Sequence, residues 1–342
     1  MKTLVFKISI LLLTSQIFLA QRSAAQFIPA SPPIADPADQ RFRDVKEDWT
    51  TPSLSTSSLH PVDPLFGYIN DHEAYTVDFL QLQWRFGDPL DLYVIKPKGE
   101  KKPPVILYLY GYPTGTDRFV DPAFQEKVTQ DGFAAVGFVS ALTGHRYHDR
   151  PMREWFLSEL QETLSTSAHD VQMILNYLET RGDLDMSRVG MYAQGSGASI
   201  AILASAVDPR IKVLDATDPW GDWPVWFAHS TFPPEDERAG YLTPEFLKKA
   251  ALLDPIDWLP KMQTRNFRLQ DATFETTTPK AAKEKLRGAV RAGSTVVVYK
   301  TAEDFNAVVR SKSELTWIEQ QLRSLPDMSR ARASLGQKSL AK

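Results

Sequence analysis

Apolar runs separated by short polar turns organise most of the chain beyond residue 73. Tyr75, Val77, Phe79, Leu82 and Trp84 fall in one stretch of strand-forming residues, and residues 90–95 make a second. Gly87-Asp88-Pro89 between them is a turn, so the pair predicts an antiparallel hairpin. Past Lys101-Lys102-Pro103-Pro104, residues 105–110 are apolar throughout, the pattern of a strand covered on both faces of a parallel sheet. Strand and helix patterns then alternate: a helix near 121–131, a strand at 133–139, a long amphipathic helix at about 153–180 and a strand at 188–193. A helix from Ser196 follows, with a face of small residues (Ala198, Ala201, Ala204, Ala206), and then a strand at 211–216. Residues 218–262 interrupt the alternation with loops and Trp220, Trp223, Trp226 and Trp258. It resumes with a strand at 267–270, a helix from Pro279, a strand at 295–299 and a last helix near 312–324. This predicts an α/β fold: a doubly wound, mostly parallel sheet of about eight strands with right-handed crossovers, and a lid insertion at about 218–262.

The ends read differently. Lys2 and Lys7 precede an apolar run from Ile8 to Ala20, and Ser23-Ala24-Ala25 puts small residues before a cut after Ala25. Residues 1–25 are therefore expected to be a secretory signal peptide, the run being short for a membrane span, and the protein to be secreted or periplasmic. Residues 26–73 are expected to be a Pro/Ser/Thr-rich N-terminal arm, 74–325 the folded domain and 326–342 a polar tail. The chain has no cysteine, which removes disulfides and a lipoprotein anchor. With 342 residues, 43% hydrophobic and a net charge of −3, it can bury one large core but presents no basic excess, so nucleic acid is not an expected partner. No cofactor motif is evident.

Residues 188–199, Arg-Val-Gly-Met-Tyr-Ala-Gln-Gly-Ser-Gly-Ala-Ser, resemble the nucleophile elbow of the α/β hydrolases. Tyr108-Leu109-Tyr110-Gly111-Tyr112-Pro113 resembles that superfamily's His-Gly oxyanion strand. Asp208-Pro209-Arg210-Ile211 is similar to its connection before the sixth strand, and Thr276-Thr277-Thr278-Pro279 to its acid loop. Together these span roughly residues 74–325, closest in character to exported esterases and peptidases with prolyl-oligopeptidase-like or dienelactone-hydrolase-like domains.

The departures from that pattern bear on chemistry. The elbow needs small residues two before and two after the nucleophile. Ala193 and Gly197 meet this around Gly195, whereas a frame centred on Ser196 puts Gln194 and Ala198 there, and Gln194 would crowd the turn. The resemblance thus places Gly195, which adopts positive φ without steric cost, at the nucleophile position. On a plainer reading Gly195 and Ser196 are only a glycine-rich strand-to-helix turn. The resemblance also implies a histidine after the last strand, yet none of His60, His72, His145, His148, His169 and His229 lies there. Glu303 and Asp304 stand in that loop instead, and a carboxylate near its usual pKa of about 4 is a poor general base at neutral pH. Glu275 occupies the implied acid position, with Asp271 the other possibility.

Two functional readings stand side by side. In one, the usual Ser-Asp-His activity is lost and a ligand-binding cleft remains for an ester, peptide or sugar-like molecule. In the other, a displaced set built on Ser196, Glu275 and His148 (or His229) hydrolyses carboxylic ester or peptide bonds. Backbone N–H groups at Ser196 and the loop 111–114 are expected to bind an oxyanion or carbonyl. Tyr110 is a packing residue or a donor; Tyr112, Trp220 and Trp223 are expected ligand contacts, with core packing the competing role for the tryptophans. His145, His148 and Asp149 are either converging metal ligands or, with Arg146 and Arg150, loop residues fixing the long helix; no second cluster completes a tetrahedral site, so no metal is expected. A third use is docking of a partner on the proline-rich arm.

Overall fold

The computed structural model describes residues 26–28, 45–60, 62–142, 146, 156–264, 266–311 and 313–326. The expected signal peptide, residues 29–44 of the arm, the tail beyond residue 326, and His145, His148, Asp149 and Arg150 lie outside the described residues.

The strands are β1 (Gln26–Ile28), β2 (Phe66–Asp71), β3 (Tyr75–Gln83), β4 (Pro89–Pro97), β5 (Pro104–Leu109), β6 (Ala134–Gly137), β7 (Asp185–Gln194), β8 (Ile211–Thr217), β9 (Asn266–Ala272) and β10 (Thr295–Tyr299). They form one sheet in the order β1-β2-β3-β4-β6-β5-β7-β8-β9-β10. The pairs β1–β2, β2–β3, β3–β4 and β4–β6 are antiparallel. From β6 through β5, β7, β8 and β9 to β10 every pair is parallel. The expected hairpin is β3–β4. Every residue of β5 and β6 is buried, which explains their unbroken apolar runs.

The helices are α1 (Asp117–Val120), α2 (Pro122–Thr129), α3 (Leu160–Arg181), α4 (Ser196–Val207), α5 (Trp223–His229), α6 (Arg238–Tyr241), α7 (Pro244–Ala251), α8 (Pro255–Trp258), α9 (Lys280–Ala289), α10 (Ala302–Arg310) and α11 (Thr316–Ser324). One face of the sheet is covered by α3 and α4, with α5–α8 packed against them; the other is covered by α1, α2 and α11. The result is a doubly wound α/β fold.

Two elements differ from expectation. The sheet has ten strands rather than about eight, because β1 and β2 lie in the segment expected to be an arm. β2 pairs along its whole length with β3, its Phe66 and Tyr68 rings packing on Phe79. Most of β2 is only half-buried, so its residues alternate too weakly for its sequence to read as a strand. Second, the segment after β10 is helix α10 rather than a loop: Thr301 Oγ1 accepts the Asp304 N–H at 3.1 Å and caps it.

Residues 45–60 are held against α3 by a buried charge network. Glu47 bonds Arg85 and His169 Nδ1, the latter at 2.8 Å. Arg85 also reaches Asp170 at 2.5 Å, and Trp84 Nε1 donates to the same carboxylate at 2.9 Å. Arg146 bridges Asp88 and Asp170, each at 2.5 Å, so this member of the expected histidine-rich cluster fixes the long helix α3.

Candidate functional site

Five loops leave the carboxyl ends of β5, β7, β8, β9 and β10 at one edge of the parallel sheet, where open α/β sheets bind ligands. A cleft of about 450 Å³ opens there, bounded by residues 111–114, Gln194, Gly195, Thr217, Asp218, Trp220, Phe232, Glu275, Thr277, Thr278 and Phe305.

Gly195 is its floor. It joins β7 to α4 with φ 56° and ψ −127°, and its N–H donates to the Thr217 carbonyl at 2.9 Å. The glycines around it are sterically required. A Cβ on Gly197 would lie 2.4 Å from the Leu109 carbonyl oxygen, and one on Gly111 2.9 Å from the Gln194 carbonyl oxygen. Backbone therefore packs on backbone where β5 ends and α4 starts. A Cβ on Gly195 would meet only Gly111 Cα at 3.6 Å and Trp220 Nε1 at 3.7 Å, so the apex is tight in φ but open in space.

Ser196 is fully buried, and its Oγ accepts the Tyr112 N–H at 2.9 Å. One N–H of the loop 111–114, that of Tyr112, is thus engaged inside the protein. Tyr110 packs: it is buried under the Arg118 guanidinium, 4.1 Å from its ring centroid, and burial pushes its hydroxyl up to about 12. Tyr112 lines the cleft, its ring edge-on to Phe232.

The acids separate cleanly. Glu275 is exposed on the cleft rim. Asp271 is buried in ion pairs with Lys283 and Arg287 and does not line the cleft. Asp218, at φ 47°, accepts from the Ala272 N–H at 2.8 Å and Lys283 Nζ at 2.9 Å; burial raises its pKa, against the pull of Lys283. Asp304 is exposed in the first turn of α10, one residue before the cleft residue Phe305. Glu303 pairs with Arg310 outside the cleft.

Among the described histidines, none bonds Ser196 or lines the cleft. His60 is exposed in the arm, His72 stacks on Tyr75, His169 is committed to Glu47, and His229 is exposed at the end of α5. Among the described residues no group of histidine and carboxylate side chains has the arrangement to hold a metal ion.

The two expected tryptophan contacts part company. Trp220 lines the cleft; its backbone N–H and carbonyl are both bonded by Ser199 Oγ of α4 at 2.8 Å, which fixes the ring over Gly195. Trp223 is fully buried, edge-on to Trp226, with Nε1 donating to the Leu253 carbonyl at 3.4 Å. Trp223 is core, which corrects its expected ligand contact. Thr217, Phe232 and Phe305 are cleft residues that sequence reasoning missed; only Thr217, closing a strand at the ligand-binding edge, carried a positional signal.

The strand order and the tight strand–turn–helix at Gly195 define the class: the chain has the α/β-hydrolase fold. It is similar to an acetyl xylan esterase of a Thermoanaerobacterium species at TM-score 0.58 and 14% identity, over 76% of this chain and 89% of that one. It is also similar to the acylaminoacyl peptidase of Pyrococcus horikoshii at TM-score 0.56 and 14% identity, over 77% of this chain and 49% of that one. Identities this low speak for the fold alone. No family model matches the chain. In sequence it is 25% identical over 147 residues to an uncharacterised 31.7 kDa Escherichia coli protein from the traX-finO intergenic region, 43% of this chain and 47% of that protein. The chain thus spans about half the length of the curated relatives it matches. No helix among the described residues is long and apolar enough to cross a membrane.

Proposed function

We propose that this is an exported, non-catalytic α/β-hydrolase-fold protein that binds a small organic ligand in the cleft over Gly195. The observation that carries the reading is the apex itself: a glycine at φ 56° holds the strand–turn–helix position from which the fold presents its attacking oxygen. Support comes from the segment after β10, which carries the exposed Asp304 and no histidine. The burial of Ser196 and its bond to the Tyr112 N–H weigh against its use as a displaced nucleophile with Glu275 and His148. Export rests on residues 1–25.

A fluorophosphonate probe tests this. The wild-type protein is expected to remain unlabelled and to leave p-nitrophenyl acetate intact. Gly195→Ser with Asp304→His is expected to gain labelling at residue 195 and slow ester hydrolysis, since the apex has room for the new side chain. Labelling of the wild-type protein that disappears in Ser196→Ala would establish the hydrolytic reading instead.

A further inference from the structure

We propose that the space left by the absent side chain at position 195 is a carboxylate notch, and that the ligand is an aromatic or bulky apolar monocarboxylate. This rests on the non-catalytic reading above and names the ligand class for the same cleft.

An indole N–H and a helix end meet at that space, and an unpaired hydroxyl belongs to a residue of the same cleft. The Trp220 indole Nε1 lies 3.7 Å from where a Cβ on Gly195 would be, and no hydrogen bond to an acceptor engages it among the described residues. An indole N–H can only donate, so it wants an acceptor there. Thr217 lines the same cleft; the residue is 4% exposed, and its buried Oγ1 has no hydrogen-bond partner among the described residues. Buried hydroxyls are seldom left unpaired, and in the proposal a ligand oxygen entering this cleft supplies the missing partner. The third is the N-terminus of α4, twelve residues long and starting at Ser196, whose dipole favours negative charge at that end.

Charge and shape narrow the class. Among the described residues no lysine or arginine lines the cleft, and Lys283 is spent on Asp218 and Asp271. Glu275 stands exposed on the rim, so a phosphate monoester or dicarboxylate would meet like charge, while a single carboxylate seated at the apex would not. Tyr112, Phe232 and Phe305 offer ring surface to the rest of the ligand. A neutral carbonyl could meet the same two donors without gaining from the helix end, which makes the amide the informative comparison.

The test is titration of the purified protein with phenylacetate, phenylacetamide and phenyl phosphate, followed by tryptophan fluorescence and calorimetry. Phenylacetate is expected to bind saturably, with the amide and the phosphate each at least tenfold weaker. Trp220→Phe and Thr217→Val should each weaken phenylacetate about tenfold, the loss of one hydrogen bond to a charged group. Gly195→Ala should fill the notch and abolish binding, while Trp258→Phe, which does not line the cleft, should bind as wild type. Equal affinity for phenylacetamide overturns the carboxylate assignment. Absence of phenylacetate binding, or unchanged binding in Thr217→Val and Trp220→Phe, overturns the notch. The two proposals fail separately: probe labelling of Ser196 sinks the non-catalytic reading whatever phenylacetate does, and an unlabelled protein that ignores phenylacetate sinks the notch alone.

Discussion

Replacing Glu47 with glutamine should detach residues 45–60 from α3 and cost the fold about 3 kcal/mol at pH 7. The Glu47 side chain is 5% exposed. Burial alone would raise its pKa, but the bonds from Arg85 and His169 outweigh it and hold the carboxyl at about 2 instead of 4.5. At 1.36 kcal/mol for each tenfold change in proton affinity, that difference is worth roughly 3 kcal/mol to the folded state. Stripping one partner from a buried ion pair typically costs about 3–5 kcal/mol, and Arg85 keeps Asp170 and Asp88, which favours the low end. The sign follows from the direction: a carboxyl whose folded pKa is depressed stabilises fully above 4.5 and progressively less as pH falls towards 2. Urea unfolding of both proteins at pH 7, 4 and 3 should therefore show a gap that narrows with acid. Limited trypsin digestion at pH 7 should also cut the variant faster at the exposed Lys46. A gap below about 1 kcal/mol at pH 7, or one that stays constant down to pH 3, refutes the reasoning.

Other outcomes follow from single contacts. Gly197→Ala should lose about 3 kcal/mol or more in thermal or urea unfolding, because its Cβ would press on the Leu109 backbone at 2.4 Å. Gly195→Ala should lose only the roughly 1–3 kcal/mol of an unfavourable φ; equal losses would refute the close approach. Trp223→Ala should destabilise by about 3–5 kcal/mol as a fully buried ring. Lys283→Met should cost about 3 kcal/mol at pH 7 by leaving Asp218 without its cation, and less on acidification, where Asp218, its pKa raised by burial, takes up a proton. A loss that does not shrink on acidification counts against the pairing.

The amino-acid order alone determined the alternation of β5 to β10 with their helices and the apex at Gly195. Those signals are local: unbroken apolar runs mark strands covered on both faces, and Gly197 with Ala193 frames a turn that tolerates no bulk. Counting histidines likewise needed no coordinates. What the sequence left open depended on partners far apart in the chain. β1 and β2 are strands because β3 offers an edge, not because their own residues alternate. The choice between Glu275 and Asp271 turned on Lys283 and Arg287, which claim Asp271. Trp220 and Trp223, three residues apart, went to cleft and core because Ser199 ties one to α4 while α5 turns the other inward. Which N–H of the loop 111–114 is engaged depends on Ser196, whose Oγ accepts that of Tyr112. Periodicity reports which face of an element is buried; which group meets which is settled only when the tertiary fold brings distant backbones within hydrogen-bond reach.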